Sequence, residues 1–521
     1  MKKYFLLLVI SFLLCAFFSG AIIGNAQEDE FVVYAYNATP ITNWDPSVEN
    51  SNGVITLNNV YETLLRYDPS EDKFIKVLAT DYTTRSDGLT WTFYLRKGVK
   101  FHDGTNFNAE AVKFSVERTM KKNMGAAYIW ASVDRINVVD DYTVEFKLKY
   151  PAPLDIICSS AYAAFIMSPT AVNSHPENWL TEGHEVGTGP YKLEKWQQER
   201  QEIVLTWFED YWGGWEGNHF KKAVIKNISE AATRRLLIEK GETDITLELP
   251  YEDIIPLQDN KNVSVLIGPS FQNLMFSLNT EKEPLNSKLL RQALSYAFPY
   301  QDVVSYCLEG YGRQSRGAIP YGLWGHGEEL FQYKYDLNEA KQLLEKAGYA
   351  NGGFKLLLTY LSGDDTERKT AELFKAKLAE LNIDLEIRGM PWESQWALAR
   401  NNNLDKRQDI FVFYWWPDAC DPNCWFSTNF CSQEEVFWNL CYYKNKEFDS
   451  LVDKANKESG IDRGKAIETY IKAQDILIED APAIFVFDRE DIFFLNKTLQ
   501  GFKGNPAYPG TVFFYDTYRK K

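Results

Sequence analysis

Four cysteines, Cys420, Cys424, Cys431 and Cys441, fall within 22 residues of one another. Two chemistries suit thiols at that spacing. In an exported chain, clustered cysteines read first as disulfides. A zinc site would need the thiolates kept reduced, and no histidine lies near them. Cys158 and Cys307 stand apart, and the five histidines, His102, His175, His184, His219 and His326, are scattered. Each histidine reads as a surface or cleft residue rather than a metal ligand. The chain carries no P-loop, no G-x-S-x-G elbow and no H-E-x-x-H helix. Gly187-Thr188-Gly189 runs into Pro190 and Tyr191, where a dinucleotide fingerprint would open a helix. Acidic residues are too numerous for a catalytic pair to be picked out. A large chain without a catalytic signature leans towards binding, so no reaction, no cofactor and no resident metal is expected.

The elements that would position such a binding site follow from composition and pattern. The chain has 521 residues, 72 acidic against 56 basic, a formal charge of −16, and 15 Trp, 30 Tyr and 33 Phe. An acidic surface repels phosphate backbones, which disfavours nucleic acid. The aromatic surplus suits both a core and a ligand surface. Lys2 and Lys3 precede an apolar stretch centred on Phe5 to Phe18, and Gly24-Asn25-Ala26 places small residues before a cleavage point. That is the layout of a secretory signal peptide over residues 1–26. An uncleaved anchor is the rival reading. Lipidation at Cys15 is disfavoured because Leu14 precedes it. The expected location is periplasmic or extracellular.

Strands are expected at 31–36, 89–95, 141–148, 354–360, 383–387 and 409–416. Helices are expected over 53–67, over 108–122 with Asn108 as N-cap, from Asp336 to Gly348, and over 366–381, 448–457 and 465–479. Strand and helix alternate, which argues for α/β lobes joined by short crossovers.

Several stretches carry a family likeness. They are Trp44-Asp45-Pro46, Val60 to Leu64 (VYETL), Ser86 to Gly104 (SDGLTWTFYLRKGVKFHDG) leading to Phe114-Ser115, Val186 to Leu193 (VGTGPYKL), Arg291 to Leu294 (RQAL) and Tyr414 to Pro422 (YWWPDACDP). In this order they resemble the bacterial extracellular solute-binding proteins, family 5, which serve ABC importers of peptides and nickel. The resemblance implies an α/β, bilobed, type II (cluster C) periplasmic-binding-protein fold with an extra domain in the first lobe. Lobe 1 would comprise 27–57, 187–272 and 490–521, the extra domain 58–186, and lobe 2 residues 273–489. Two crossover strands near 270 and 488 would form the hinge.

The resemblance further implies a monomeric receptor that captures a peptide and delivers it to permease subunits. Oligosaccharide and nickel-chelate receptors are the alternatives. Asp418 occupies the slot whose carboxylate pairs with a peptide's free α-amino group, a charge-assisted hydrogen bond strengthened in a dry cleft. Trp415 and Trp416 lead into that turn, and strand alternation lets only one face the cleft. Asp421-Pro422 reads as turn structure. Leu361 falls where the dipeptide binders carry an Arg for the ligand carboxylate, which favours longer peptides read through their backbone. Cys431 and Cys441 match two similarly placed cysteines of the dipeptide binders, which implies a disulfide between them.

Overall fold

A computed structural model describes residues 31–37 and 41–520. The expected export signal over 1–26 lies outside the described residues. Among those described, no helix is long and apolar enough to cross a membrane.

The fold is bilobed α/β, built on one eleven-stranded sheet that runs through both lobes. Its path is Asp384–Met390, Lys355–Leu361, Ile410–Trp415, Val263–Leu278, Ala483–Asn496, Ile245–Leu247, Phe31–Tyr36, Lys222–Asn227, Glu202–Trp207 and Tyr191–Gln197, with Gly312–Gln314 added beside Ala483–Asn496. The two long central strands pair antiparallel in two blocks, Val263 to Pro269 opposite Asn496 to Glu490, and Asn273 to Ser277 opposite Asp488 to Ala483. Residues 270–272 interrupt the ladder, and Phe271 takes a positive φ of 54°. On one side of the break Val263–Leu278 pairs with Ile410–Trp415; on the other, Ala483–Asn496 pairs with Ile245–Leu247. Each long strand thus belongs to one lobe in one half and to the other lobe in the rest.

Each lobe carries three parallel strands, and on the first-lobe side the sheet ends in two antiparallel ones, Glu202–Trp207 and Tyr191–Gln197. Lys355–Leu361 runs parallel to Asp384–Met390 and to Ile410–Trp415. Phe31–Tyr36 runs parallel to Lys222–Asn227 and Ile245–Leu247. Ligands of open α/β sheets bind outside the carboxyl ends of such strands. A separate four-stranded antiparallel sheet, Ala79–Thr84, Thr90–Leu95, Thr143–Leu148 and Val133–Asp140, packs with helix Ala109–Lys122 in the insertion.

Local chemistry explains the element ends. The Asn108 side chain accepts from the amide of Ala111 (3.1 Å), and Asp336 accepts from the amides of Asn338 and Glu339. These bonds satisfy N–H groups that a helix start leaves unpaired. The helix expected over 53–67 is shorter. It spans Val54–Val60, turns extended at Tyr61, and continues as the strand Leu65–Asp68. Asn58 and Asn59 bond back to the carbonyls of Val54 and Ile55, and Glu62 pairs with Ile166, so pairing beyond the helix overrides the helical pattern.

The core follows the pleat of the central strands. Phe411, Phe413 and Trp415 join the large cluster shared with the four-stranded sheet, whereas Ile410 and Val412 face the second lobe's own helices. A one-residue slip would exchange the two sets.

Candidate ligand-binding site

Most motif residues turn out to be architecture. Asp45 holds the Arg118 guanidinium through two 2.6 Å bonds. Glu62, buried, accepts from Thr188 Oγ1, Tyr211 Oη and Trp212 Nε1, and burial raises its pKa despite those donors. At Gly187 a Cβ would lie 2.0 Å from the Val60 carbonyl oxygen, so the Val186 to Leu193 segment uses glycine for close packing on the helix end. Arg291 donates to the carbonyls of Leu285, Asn286, Asp480 and Ala481.

The histidine expectation needs correction. His102 and His326 have buried side chains, and His102 bridges Glu185 and the Gly189 carbonyl. Among the described residues, no group of three His, Cys, Asp or Glu side chains is placed to hold a metal.

The cysteine expectation fails as well. Cys431 and Cys441 are free thiols, as are Cys158, Cys307, Cys420 and Cys424. Cys441 Sγ lies 3.1 Å from Asn439 Oδ1, while Cys431 is turned towards Asp449 and Asp453. The Asn439 amide nitrogen donates to the carbonyls of Cys431 and Tyr443 and ties this loop together in place of a covalent staple.

Strand Ile410–Trp415 delivers the aromatic pair and the acidic turn to the junction of the lobes. Trp415 is 7% exposed and packs edge-on against Phe413 and Trp438, so it serves the core. Trp416, just past the end of the strand, is 39% exposed, and its side chain bonds with Tyr162 of the insertion. Asp418 is half-buried. Tyr128, from the insertion, donates to Asp418 Oδ2, and Ser160 Oγ donates to the Asp418 carbonyl (2.6 Å). Burial raises the Asp418 pKa, and the Tyr128 hydrogen bond opposes that rise. No cationic side chain pairs with Asp418 among the described residues.

Further contacts hold the same two faces together. Arg463 reaches Asp72 (3.2 Å) and Asp155 (3.4 Å). A Cβ at Gly460 would stand 2.3 Å from the backbone nitrogen of Ala152. The lobes are shut in this structure.

A cavity of about 440 Å³ is lined by Tyr414 of strand Ile410–Trp415 but not by Trp415, Trp416 or Asp418. Its walls are the segments that follow the carboxyl ends of strands in both lobes, Asn37 and 247–252 on one side and 363–366 on the other. Tyr414 and the centre of Ala483–Asn496 complete it. Arg489 sits within it, 3.6 Å from Glu248 and over the Tyr414 ring. Burial alone would favour the neutral guanidine; Glu248, Tyr251, Tyr414 and Asp491 hold it charged. This half of the site escaped sequence reasoning. The signal was present in Asp488-Arg489-Glu490-Asp491, a charged run set between Ala483–Phe487 and Ile492–Leu495, both apolar. Four polar residues in mid-strand mark a stretch that lines a cleft. Leu361 ends its strand with its amide donating to Glu367 Oε2 (2.7 Å), and Arg368 is engaged by Asp365 and Glu372 on the helix surface.

This geometry agrees with what the chain matches. The model for bacterial extracellular solute-binding proteins, family 5 (Middle), covers residues 73–436. The chain belongs to that family. As a family 5 binding protein it is 30% identical, over 92% of its length and 93% of the relative's, to the probable D,D-dipeptide-binding periplasmic protein DdpA of Escherichia coli (strain K12). It is 28% identical to the glutathione-binding protein GsiB of Shigella flexneri, with 92% of each chain covered. Among solved structures, the ABC transporter-associated periplasmic binding protein DppA from Helicobacter pylori, in complex with peptide STSA, superposes with a TM-score of 0.81 at 26% identity, covering 94% of this chain and 98% of that one. Family 5 proteins are bacterial extracellular solute-binding proteins.

Proposed function

We propose that this family 5 protein captures peptides between its lobes and delivers them to the membrane subunits of an ABC importer. The observation that carries the reading is the interlobe cavity, which joins the carboxyl ends of the parallel strands of both lobes beside two strands shared between them. About 440 Å³ falls in the range of small-ligand sites. The relatives named above are a probable D,D-dipeptide-binding protein, a glutathione-binding protein and a binding protein in complex with the peptide STSA, which supports a peptide ligand.

In this reading the lobes comprise 27–57, 187–272 and 490–521 with the insertion 58–186, and 273–489. Bending at the break over 270–272 opens and shuts them. Asp418 takes the peptide's α-ammonium, Trp416 covers the adjoining residue, and Trp415 is packing. The chain acts as a monomer after export on its 1–26 signal.

Mass spectrometry of solute released by denaturing the purified protein tests this. Peptides released in near-stoichiometric amount are expected. A sugar or a nickel chelate in their place would overturn the peptide reading and leave the receptor architecture standing.

A further inference from the structure

We propose that the interlobe cavity takes a positively charged group of the ligand, a basic side chain of the bound peptide, on the carboxylates of Asp364 and Asp491. This rests on the peptide reading above and adds a specificity to it.

The charges lining the cavity do not cancel internally. Asp365 is paired with Arg368 and Lys369, and Glu490 lies 3.6 Å from Arg313. Arg489 is matched by Glu248. Arg234 donates through both Nη atoms to the carbonyls of Ile228, Ser229 and Glu248, and its Nε is buried without a partner. Glu252 and Glu309, also on the wall, make no ion pair but are exposed; the half-buried carboxylates without an ion pair are Asp364 and Asp491. Asp364, cap of helix Asp365–Ala379, accepts from the amides of Glu367 (2.8 Å) and Thr366 and feels the charge of Arg489, but no basic group lies within ion-pair distance of it. The Asp491 carboxylate makes no hydrogen bond and no ion pair among the described residues, although it stands in the middle of a strand that is otherwise apolar on both flanks. A half-buried carboxylate without a partner loses hydration and gains nothing in return. Accordingly both pKa values are raised by burial, that of Asp491 to about 7, with Glu248 adding to the rise and Arg489 opposing it.

An anionic group would meet Glu248, Asp364 and Asp491 together, and the two arginines are already engaged. An ammonium or guanidinium entering the cavity would instead meet carboxylates that lack a cation. Reach is adequate. Tyr414, on the cavity wall, and Asp418 are four residues apart on one chain, so their Cα atoms are at most about 14 Å apart. That separation is within the span of a short peptide carrying a long side chain.

Calorimetry at pH 8 with trialanine analogues tests the proposal. Lysine is placed at each position in turn and compared with norleucine, which has the same chain without the ammonium. The natural protein and the Asp364→Asn/Asp491→Asn variant are titrated, with circular dichroism to confirm the fold. The expected result is one lysine position favoured by about 10-fold or more over norleucine, a preference reduced to within about 3-fold in the variant. Equal binding of lysine and norleucine at every position, or a preference that survives the double substitution, would overturn the cation site while the peptide reading stands. If no tripeptide binds, agmatine separates the two claims. Binding of agmatine that the variant loses supports the cation site and overturns the peptide reading; no binding of agmatine either overturns both.

Discussion

Tyr128 and Asp418 meet across the two lobes, the phenol of the insertion donating to the carboxylate of the turn after strand Ile410–Trp415. Neither belongs to the other's lobe, so the bond exists only when the lobes are shut. It leaves the carboxylate with a neutral donor and no cation, free to accept an ammonium as well. Removing the phenol leaves one fewer bond favouring closure. Hydrogen bonds to charged groups contribute about 1.5–3 kcal/mol. Tyr128→Phe is expected to weaken peptide binding by roughly 10-fold or more with unchanged thermal stability of the lobes, as measured by calorimetry and differential scanning. Unchanged affinity would show that closure does not depend on this bond.

Gly460 gives a steric test of closure. Its φ of −76° is open to any residue, so alanine should not disturb the end of helix Lys446–Ser459. Yet the new Cβ would sit 2.3 Å from the Ala152 backbone across the junction. Gly460→Ala should hold the lobes apart. Small-angle scattering with saturating peptide is expected to show a larger radius of gyration than the natural protein, with the same circular dichroism. Equal compaction in both proteins would contradict the shut arrangement.

Arg463 supplies the corresponding electrostatic test. It bridges Asp72 and Asp155, and burial raises the Asp155 pKa while Arg463 lowers it. Arg463→Ala leaves Asp155 unpaired in the shut form only, so peptide should dissociate faster, by about 5- to 30-fold, for a loss of roughly 1–2 kcal/mol. Stopped-flow displacement measures this. The salt dependence of dissociation should weaken in the variant.

Glu367 sets a pH dependence. Burial, with Asp364 nearby, raises its pKa to about 9. The folded form therefore holds a proton that the unfolded chain releases near its ordinary value of about 4.3. Its contribution to stability is full below that value and is lost as pH rises towards 9, with a slope of at most about 1.4 kcal/mol per pH unit. Glu367→Gln keeps an acceptor for the Leu361 amide and should raise the melting temperature at pH 8 but not at pH 4. Parallel melting curves across that range for both proteins would contradict the buried neutral acid.

The sequence carried much of this structure where chemistry is local. Asn108 and Asp336 announced their helices because a cap needs only its own next few amides. The α/β alternation and the family likeness led to the bilobed fold. What remained hidden depended on pairing over long separations. Val54–Val60 ends early because Glu62 must pair with Ile166. Arg489, Asp491 and Asp364 meet only when strand Ala483–Asn496 crosses between lobes, and Tyr414 rather than its neighbour Trp415 faces them. The expectation for Cys431 and Cys441 rested on likeness alone, and local hydrogen bonds of Asn439 take the place of that bond.

The central claim is that a peptide's free amine is held by Asp418 inside the shut cleft. Calorimetry on four combinations, natural protein and Asp418→Asn each with free and N-acetylated peptide, tests it most directly. Breaking one side of a buried ion pair costs about 3–5 kcal/mol, and a partly solvated one less. Each single change is predicted to weaken binding by about 10²-fold, roughly 2.7 kcal/mol, and the two losses should not add, because both remove the same contact. Normal binding of free peptide by Asp418→Asn, or losses that add in full, would contradict the account.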